Sequence, residues 1–279
     1  MVTEEKRKEL SAFAAEIRIA AMEEFRAIGV GHVGGSMSVC DLMACLYGGV
    51  MRIDPKNPRW EQRDRFIMSK GHAGPAMYAA LALRGYFDRS ELVTLNRPGT
   101  NLPSHTDMNR TPGVDMTTGS LGQGFSSALG IAMGCKRKGL SSYVYLLLGD
   151  GECEEGQVWE CAMFAPAKQL TNVIAFVDYN REQICGTVEQ VAGLTDIGGK
   201  FAAFGWHVVN VEDGNDVGQI MEAIEAAKAA ADRPSMLILH TKKGKGCCFA
   251  EDVFNHNMTV SPEQAERAIA ALQACKAAL

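Results

Sequence analysis

An α/β fold, with a doubly wound, mainly parallel sheet and helices on both faces, is what this chain of 279 residues predicts. Three observations carry it. Tyr-Val-Tyr-Leu-Leu-Leu at 143–148 and Asn-Val-Ile-Ala-Phe-Val at 172–177 are short apolar runs without alternation, bounded by turn residues, as strands buried on both faces are. A stretch of crossover-helix length, roughly 155–169, separates them. Each run ends in polar residues: Gly149-Asp150-Gly151-Glu152 after the first, Asp178-Tyr179-Asn180 after the second. Asp150 and Asn180 thus stand at the carboxyl ends of two parallel strands, the edge at which open sheets bind ligands.

The remaining elements follow in order. Residues 4–28 place Leu10, Phe13, Ala14, Ile17, Ala21 and Phe25 near helical spacing with charges between them, an amphipathic helix. The glycine-rich stretch 29–36 breaks it, and a second helix is expected over 37–50, capped near Ser36 or Ser38. Arg65–Met68 reads as a short strand ending at Ser69-Lys70-Gly71-His72. Helices are expected over 74–84 and, briefly, 90–95. An irregular loop of about 96–118 follows, of a length usually functional inside a compact domain. A glycine-rich turn at 119–124 opens a helix to about 138. Beyond the second apolar run come a loop (184–194), a helix (196–204), a strand (His207–Val211), a helix (about 215–231), the last strand (Ser235–His240), a glycine/lysine turn, a loop holding His256, and a final helix from Ser261-Pro262. No repeat or low-complexity linker divides the chain, so one domain over 1–279 is expected.

Composition excludes several classes. The chain is 47% hydrophobic and 22% charged with a net charge of −5, and no basic block marks a nucleic-acid binder. No secretory leader is evident, and no apolar run of membrane-spanning length is expected. Nine cysteines without a Cys-x-x-Cys pair suit reduced thiols in a cytoplasmic protein. Gly29-x-Gly31-x-x-Gly34 matches a dinucleotide fingerprint literally, but an amphipathic helix precedes it where that motif requires a strand, so nicotinamide binding is not expected. The Gly-x-Ser-x-Gly elbow of α/β hydrolases is absent.

The chemistry gathers at the Gly-Asp-Gly edge. A carboxylate (Asp150), an amide oxygen (Asn180) and the main-chain carbonyl of Glu182 are hard oxygen ligands suited to Mg²⁺ or Ca²⁺ carrying a diphosphate. Glycines there let the backbone approach phosphate closely. Gly119-Ser-Leu-Gly-Gln-Gly124 opens a helix whose free N–H groups suit an anion. Five of the six histidines fall in loops or turns, where imidazole is free to meet phosphate oxygens or sugar hydroxyls.

Gly149-Asp-Gly151 followed by a helix and a strand ending in Asn180 resembles the thiamine-diphosphate motif. Together with Gly31-His32, Ser69-Lys-Gly-His72, Gly119-Ser-Leu-Gly-Gln-Gly124, Glu155-Gly-Gln-Val-Trp159 and Lys242-Lys-Gly-Lys-Gly246 in that order, the chain resembles the first, diphosphate-binding domain of transketolases from about residue 10 to about 258. The resemblance implies transfer of a two-carbon ketol unit from a ketose, or ketose phosphate, to an aldose. It implies thiamine diphosphate held through a divalent cation on Asp150, Asn180 and Glu182, with His72, Gly119, Leu121, Gly151, Asp178, Ile184, Lys243 and His256 at the cofactor. His32 and His105 would face the substrate, and Glu155 would reach across a subunit interface toward the cofactor-activating glutamate. His207 and His240 are left to structure. The glutamate at the pyrimidine ring, an aromatic partner for that ring and the arginines that grip the sugar phosphate belong to domains that would sit on a second chain, in an assembly with two copies of each subunit. Rival readings are another enzyme of the same cofactor class, such as deoxyxylulose-phosphate synthase or a 2-oxo acid dehydrogenase α-subunit, and a cofactor-binding module without catalysis. Three departures from the family pattern, Val33 after His32, Asn215 between Gly214 and Asp216, and Asn257 after His256, point to an atypical substrate.

Overall fold

The computed structural model describes residues 2–254 and 256–279. Its centre is a five-stranded, wholly parallel sheet of β1 (Arg65–Met68), β2 (Val144–Gly149), β3 (Val173–Tyr179), β4 (His207–Val211) and β5 (Ser235–His240), in the spatial order β1-β2-β3-β5-β4. The unbroken apolar runs have a simple cause: successive side chains enter two different cores. Tyr145, Leu147, Ile174 and Phe176 pack on one face, against α1 (Glu4–Ile28), α2 (Gly74–Leu83), α6 (Val217–Ala229) and α7 (Pro262–Ala277). Val144, Leu146, Leu148, Ala175 and Val177 pack on the other, against α3 (Gln123–Arg137), α4 (Gly156–Ala167) and α5 (Ile197–Ala203). Strands covered on both faces have no polar side to alternate with.

Chain order explains where the site lies. After β3 the chain crosses by α5 on one face, whereas after β5 it returns by α7 on the opposite face. Adjacent strands whose continuations part in this way leave a crevice at their carboxyl ends. Asp150, Asn180 and Lys243 follow β2, β3 and β5, so all three flank that crevice.

Local signals set most boundaries. Thr3 caps α1, its hydroxyl accepting from the Lys6 N–H at 3.2 Å, and Gly29 closes it in the left-handed region with its N–H on the Phe25 carbonyl at 2.8 Å. Ser261 begins α7 with a reciprocal capping box to Gln264 and Pro262 in the first turn.

Other boundaries differ from the sequence expectation. The helix expected over 37–50 starts earlier, as Val33–Met37, breaks at Ser38-Val39, resumes at Cys40–Cys45 and widens into a π-turn at Leu46–Val50. Residues 33–50 are also, by length and a mean hydropathy of 1.3, apolar enough to cross a membrane, which corrects the expectation of no such run; 89% of the stretch is buried, and it is a core segment here. The loop expected over 184–194 is partly structured: Gly186–Thr187 pairs antiparallel with Glu182–Gln183 just before it, and a one-turn helix forms at Val188–Val191. Val30–Gly31 pairs antiparallel with Met258–Thr259, tying the His32 turn to the segment carrying His256.

All nine cysteines are free thiols, six buried and three (Cys185, Cys248 and Cys275) exposed. Glu24 is the odd residue of the core. It is fully buried in α1, neither carboxylate oxygen has a hydrogen-bond partner among the described residues, and burial raises its pKa well above the ordinary carboxylate value. The folded protein therefore keeps a proton that the unfolded chain releases above about pH 4.3. Stability from this group is intact below that pH and is lost as pH rises. Glu24→Leu is expected to stabilise the fold by ~1–3 kcal/mol at pH 7.5 and by much less at pH 4.5, which urea denaturation at the two pH values would measure.

Candidate functional site

A cavity opens at the crevice. Asp150, Gly151, Asn180, Glu182, Ile184, Lys243, His72, His256 and Leu121 all line it. Residues from six separate segments thus meet at one carboxyl edge.

The two strand-end side chains are fixed by the backbone of their neighbour. One Asp150 oxygen accepts from the Gly151 N–H at 2.8 Å and the other from the Arg181 N–H, just past β3. The Asn180 amide oxygen accepts from the Glu182 N–H at 3.1 Å, and its NH₂ donates to Asp178 at 2.9 Å. Asp150 is 2% exposed, and its carboxyl is pushed up to about 7, by burial first and by the neighbouring Asp178 second. Glu182 Oε2 is buried without a hydrogen bond, 3.6 Å from the Lys243 ammonium. Lys243, a residue only 6% exposed, also donates from its ammonium to the Glu182 carbonyl at 3.4 Å.

These features fit a divalent cation and a diphosphate. A buried carboxylate, Asp150, whose charged form burial disfavours, together with the Asn180 amide oxygen and the Glu182 main-chain carbonyl at one cavity, forms a hard-oxygen donor set. Among the described residues no group of three or more His, Cys, Asp or Glu is placed to hold a metal. The candidate set therefore works only as one carboxylate with neutral oxygens, phosphate oxygens completing the shell.

Asp178 occupies a place different from that expected. It is fully buried beneath the cavity rather than lining it. Its carboxylate accepts from the Lys70 ammonium, Ser38 Oγ at 2.8 Å, Asn180 Nδ2 at 2.9 Å and the Thr241 hydroxyl. Lys70 foremost among these neighbours holds its pKa below the ordinary value despite burial. Asp178 positions Asn180 and Lys70 from beneath the cavity. Gly119 likewise does not line the cavity and packs against the His105 ring. Glu155 is exposed at the start of α4 and lines none of the cavity.

Two residues that sequence reasoning passes over are central. Lys70, 1% exposed, lines the cavity, donates to the Gly35 carbonyl at 3.0 Å and pairs with Asp178. Glu152 sits in an acidic stretch that suits an exposed helix start, yet it is buried and binds three segments of chain at once: Ser69 Oγ, the Gly122 N–H at 2.8 Å and the Gly149 N–H at 3.0 Å. It fastens the glycine-rich turn to the Gly-Asp-Gly turn. Close backbone approach does the rest. A Cβ on Gly71 would lie 2.9 Å from the Gly119 nitrogen, so only glycine lets the His72 turn sit against 118–119. Gly244 has φ +77°, and a Cβ there would meet the Ala250 carbonyl oxygen at 2.4 Å, so glycine sets the turn that aims Lys243.

Four histidines form a cluster beside the cavity; His72 and His256 line it, and His32 and His105 stand outside its lining. His32 stands 5.2 Å from His72, 5.9 Å from His105 and 5.0 Å from His256, and His72 is 5.1 Å from His256, measured between ring centres. Burial lowers the pKa of each, with Lys70 adding to the effect at His32, His72 and His256; His32 and His256 are brought down to about 4. All four are neutral at pH 7, and each has one donating and one accepting nitrogen. The folded values lie below the unfolded value near 6.5, so stability from these groups is present above about pH 6.5 and is lost as pH falls toward 4. The unfolding midpoint of the cofactor-free chain is expected to drop over that window, with a shallower drop in His32→Gln, as thermal melts from pH 7 to pH 4.5 would record. His207 and His240 lie apart from the cluster: His207 Nδ1 is 3.3 Å from Ser235 Oγ, and His240 packs edge-on to Tyr179.

The model of the family described as "transketolase, thiamine diphosphate binding domain" matches residues 10–271. The chain belongs to the transketolase family. It is 51% identical over 270 residues to the 6-deoxy-6-sulfo-D-fructose transketolase subunit SqwG of Clostridium sp. (strain MSTE9), covering 96% of this chain and 98% of that one. It is 37% identical over 240 residues to one of the apulose-4-phosphate transketolase subunits of Phocaeicola vulgatus, covering 86% and 85%. The transketolase of Leishmania mexicana superposes with a TM-score of 0.87 at 30% identity, covering 96% of this chain and 41% of that one. The chain therefore spans less than half of that solved transketolase but nearly all of the relatives named as subunits. Family membership also sets aside the nicotinamide and hydrolase readings.

Proposed function

We propose that this chain is the diphosphate-binding subunit of a two-chain transketolase that moves a two-carbon ketol unit from a ketose to an aldose. The observation that carries the reading is the meeting of Asp150, Asn180, Glu182, Lys243, His72 and His256 around one cavity, with His32 packed against both histidines. A magnesium or calcium ion would be held by Asp150 and Asn180 side chains and the Glu182 carbonyl. Lys243, His72 and His256 would donate to diphosphate oxygens, and Gly151 and Leu121 would supply close backbone walls. When bound, thiamine diphosphate supplies the carbon nucleophile that a protein lacks. His32 and His105, neutral at pH 7, are free to hold or accept protons at sugar hydroxyls. Exposed Glu155 would face the partner, a second subunit bearing the pyrimidine-binding and C-terminal domains, in a complex with two of each chain. Nine free thiols fit a reducing, cytoplasmic compartment.

For the donor we propose a ketose carrying an anionic terminal carbon, on the strength of the 51% identity to a subunit named for 6-deoxy-6-sulfo-D-fructose. The test is ketol transfer by this chain combined with a complementary transketolase subunit, using fructose bearing a 6-sulfonate, a 6-phosphate or a free 6-hydroxyl. Turnover only with both chains, thiamine diphosphate and Mg²⁺ supports the reading; full turnover by this chain alone refutes the need for a partner.

A further inference from the structure

Outside the cavity lies a buried ion pair that the site described above does not use. Asp41, in the helical turn Cys40–Cys45, is 5% exposed, and Arg18 of α1 is 6% exposed. Both Asp41 oxygens accept from the Arg18 guanidinium, Oδ1 at 3.1 Å. Asp41 Oδ2 also accepts from the Asn215 amide NH₂ at 2.8 Å. Each of these two partners then reaches the main chain of a single turn. Arg18 Nε donates to the Lys245 carbonyl at 3.0 Å, and Asn215 Oδ1 accepts from the Lys242 N–H at 2.8 Å. One carboxylate is thus tied, through one side chain on each arm, to both ends of the turn that carries Lys243.

The other contacts of the pair hold it rigid. Arg18 donates to the Met37 carbonyl at 3.3 Å and Asn215 to the Ser38 carbonyl at 2.9 Å. Ser38 Oγ in turn donates to Asp178, the carboxylate that orients Asn180. Residues 37–41 therefore support two groups of the cavity wall, Lys243 and Asn180.

Stability alone does not account for this arrangement. Desolvating a guanidinium and a carboxylate costs about as much as their attraction returns, and apolar residues of similar volume often serve a core as well. Apolar residues cannot hold a carbonyl and an N–H of one turn in fixed places. A lysine ammonium sits on a long flexible stem, so where it stands depends on how its backbone is held.

We propose that Arg18, Asp41 and Asn215 form a clamp that positions Lys243, and that Asn215 acts on the cofactor through Lys243 although it lines no part of the cavity. The inference rests on the transketolase reading above, in which Lys243 donates to the diphosphate. Asn215 is the member to test. Its loss strands no charge, since Asp41 keeps Arg18, and the Lys242 N–H is exposed, so water can replace the lost acceptor.

The test is a double-mutant cycle on the complete two-chain enzyme with Asn215→Ala, Lys243→Met and both together, measuring the thiamine diphosphate concentration for half-maximal transfer with Mg²⁺ in excess. Lys243→Met is expected to raise it about 10- to 100-fold, the size of a lost charge-assisted hydrogen bond, and Asn215→Ala about 3- to 10-fold. The double variant is expected to stay within about 2-fold of Lys243→Met, because a misplaced lysine cannot be missed once it is gone. Asn215→Ala should also flatten the salt dependence of cofactor affinity, as Lys243→Met does. A general loosening of the fold would not do this: it would multiply the two losses, leave the salt dependence as in wild type and overturn the clamp alone. Unchanged affinity in Asn215→Ala, or in Lys243→Met, would overturn it too. Failure of the wild-type pair to respond to thiamine diphosphate would overturn the transketolase reading and the clamp with it.

Discussion

Asp150→Asn is expected to weaken Mg²⁺-dependent thiamine-diphosphate binding by at least about 100-fold, beyond the 10- to 100-fold range typical of losing a residue that only supports a metal ligand. The substitution keeps the shape of the side chain and removes its charge. In the cofactor-free chain that charge is a burden: Asp150 is 2% exposed and its carboxyl is pushed up to about 7 by burial and by Asp178. The variant sheds that buried charge but can keep only one of the two main-chain hydrogen bonds that the carboxylate accepts, from Gly151 and Arg181, so the melt without ligand measures its fold and the ligand-induced shift measures its site. Thermal melts show both at once. Ligand at 100 times its dissociation constant stabilises by about 2.7 kcal/mol, so wild type should melt higher with thiamine diphosphate and Mg²⁺, and Asp150→Asn should not respond. Glu182→Ala should respond nearly as wild type does, because its proposed ligand is a main-chain carbonyl.

Lys70→Met is expected to destabilise the chain by about 3–5 kcal/mol, the cost of stranding one buried charge. Lys70 and Asp178 are 1% and 0% exposed, and Lys70 is the cation that holds Asp178 ionised in the core. Ser38 and Asn180 would remain as donors but would not compensate the charge. Removing both partners should restore part of the loss, so Lys70→Met/Asp178→Leu is expected to be more stable than Lys70→Met alone. Urea denaturation of the two single variants and the double variant closes the cycle. The double variant should still bind cofactor poorly, since Asn180 loses the carboxylate that orients its amide.

These two residues also mark the limit of what the sequence discloses. Asp150 and Asn180 are legible because strands buried on both faces write unbroken apolar runs, and a polar residue at the end of such a run has one place to be. Lys70 and Glu152 carry no such mark. A lysine between serine and glycine, or a glutamate in an acidic stretch, has the local pattern of a solvated turn. What buries them is contact across the chain: Lys70 meets Asp178 at a separation of 108 residues, and Glu152 meets Ser69 at 83. The same reasoning applies to the early start of the helix at Val33. Gly34 and Gly35 read as breakers, yet they are buried, and a Cβ on Gly35 would lie 3.2 Å from His72 Nε2. Glycine there serves the packing of the site rather than a turn. Asp178, conversely, stands beside the motif, and the resemblance implies a place at the cofactor, whereas burial makes it the support of those that line the cavity.

The most direct measurement is a crystal structure of the chain grown with thiamine diphosphate and Mg²⁺. Our account predicts a cation about 2.0–2.1 Å from an Asp150 carboxylate oxygen, the Asn180 amide oxygen and the Glu182 carbonyl, with diphosphate oxygens completing its shell and Lys243 and His72 facing them. A cation bound away from Asp150 and Asn180, or a diphosphate seated outside this cavity, would contradict it.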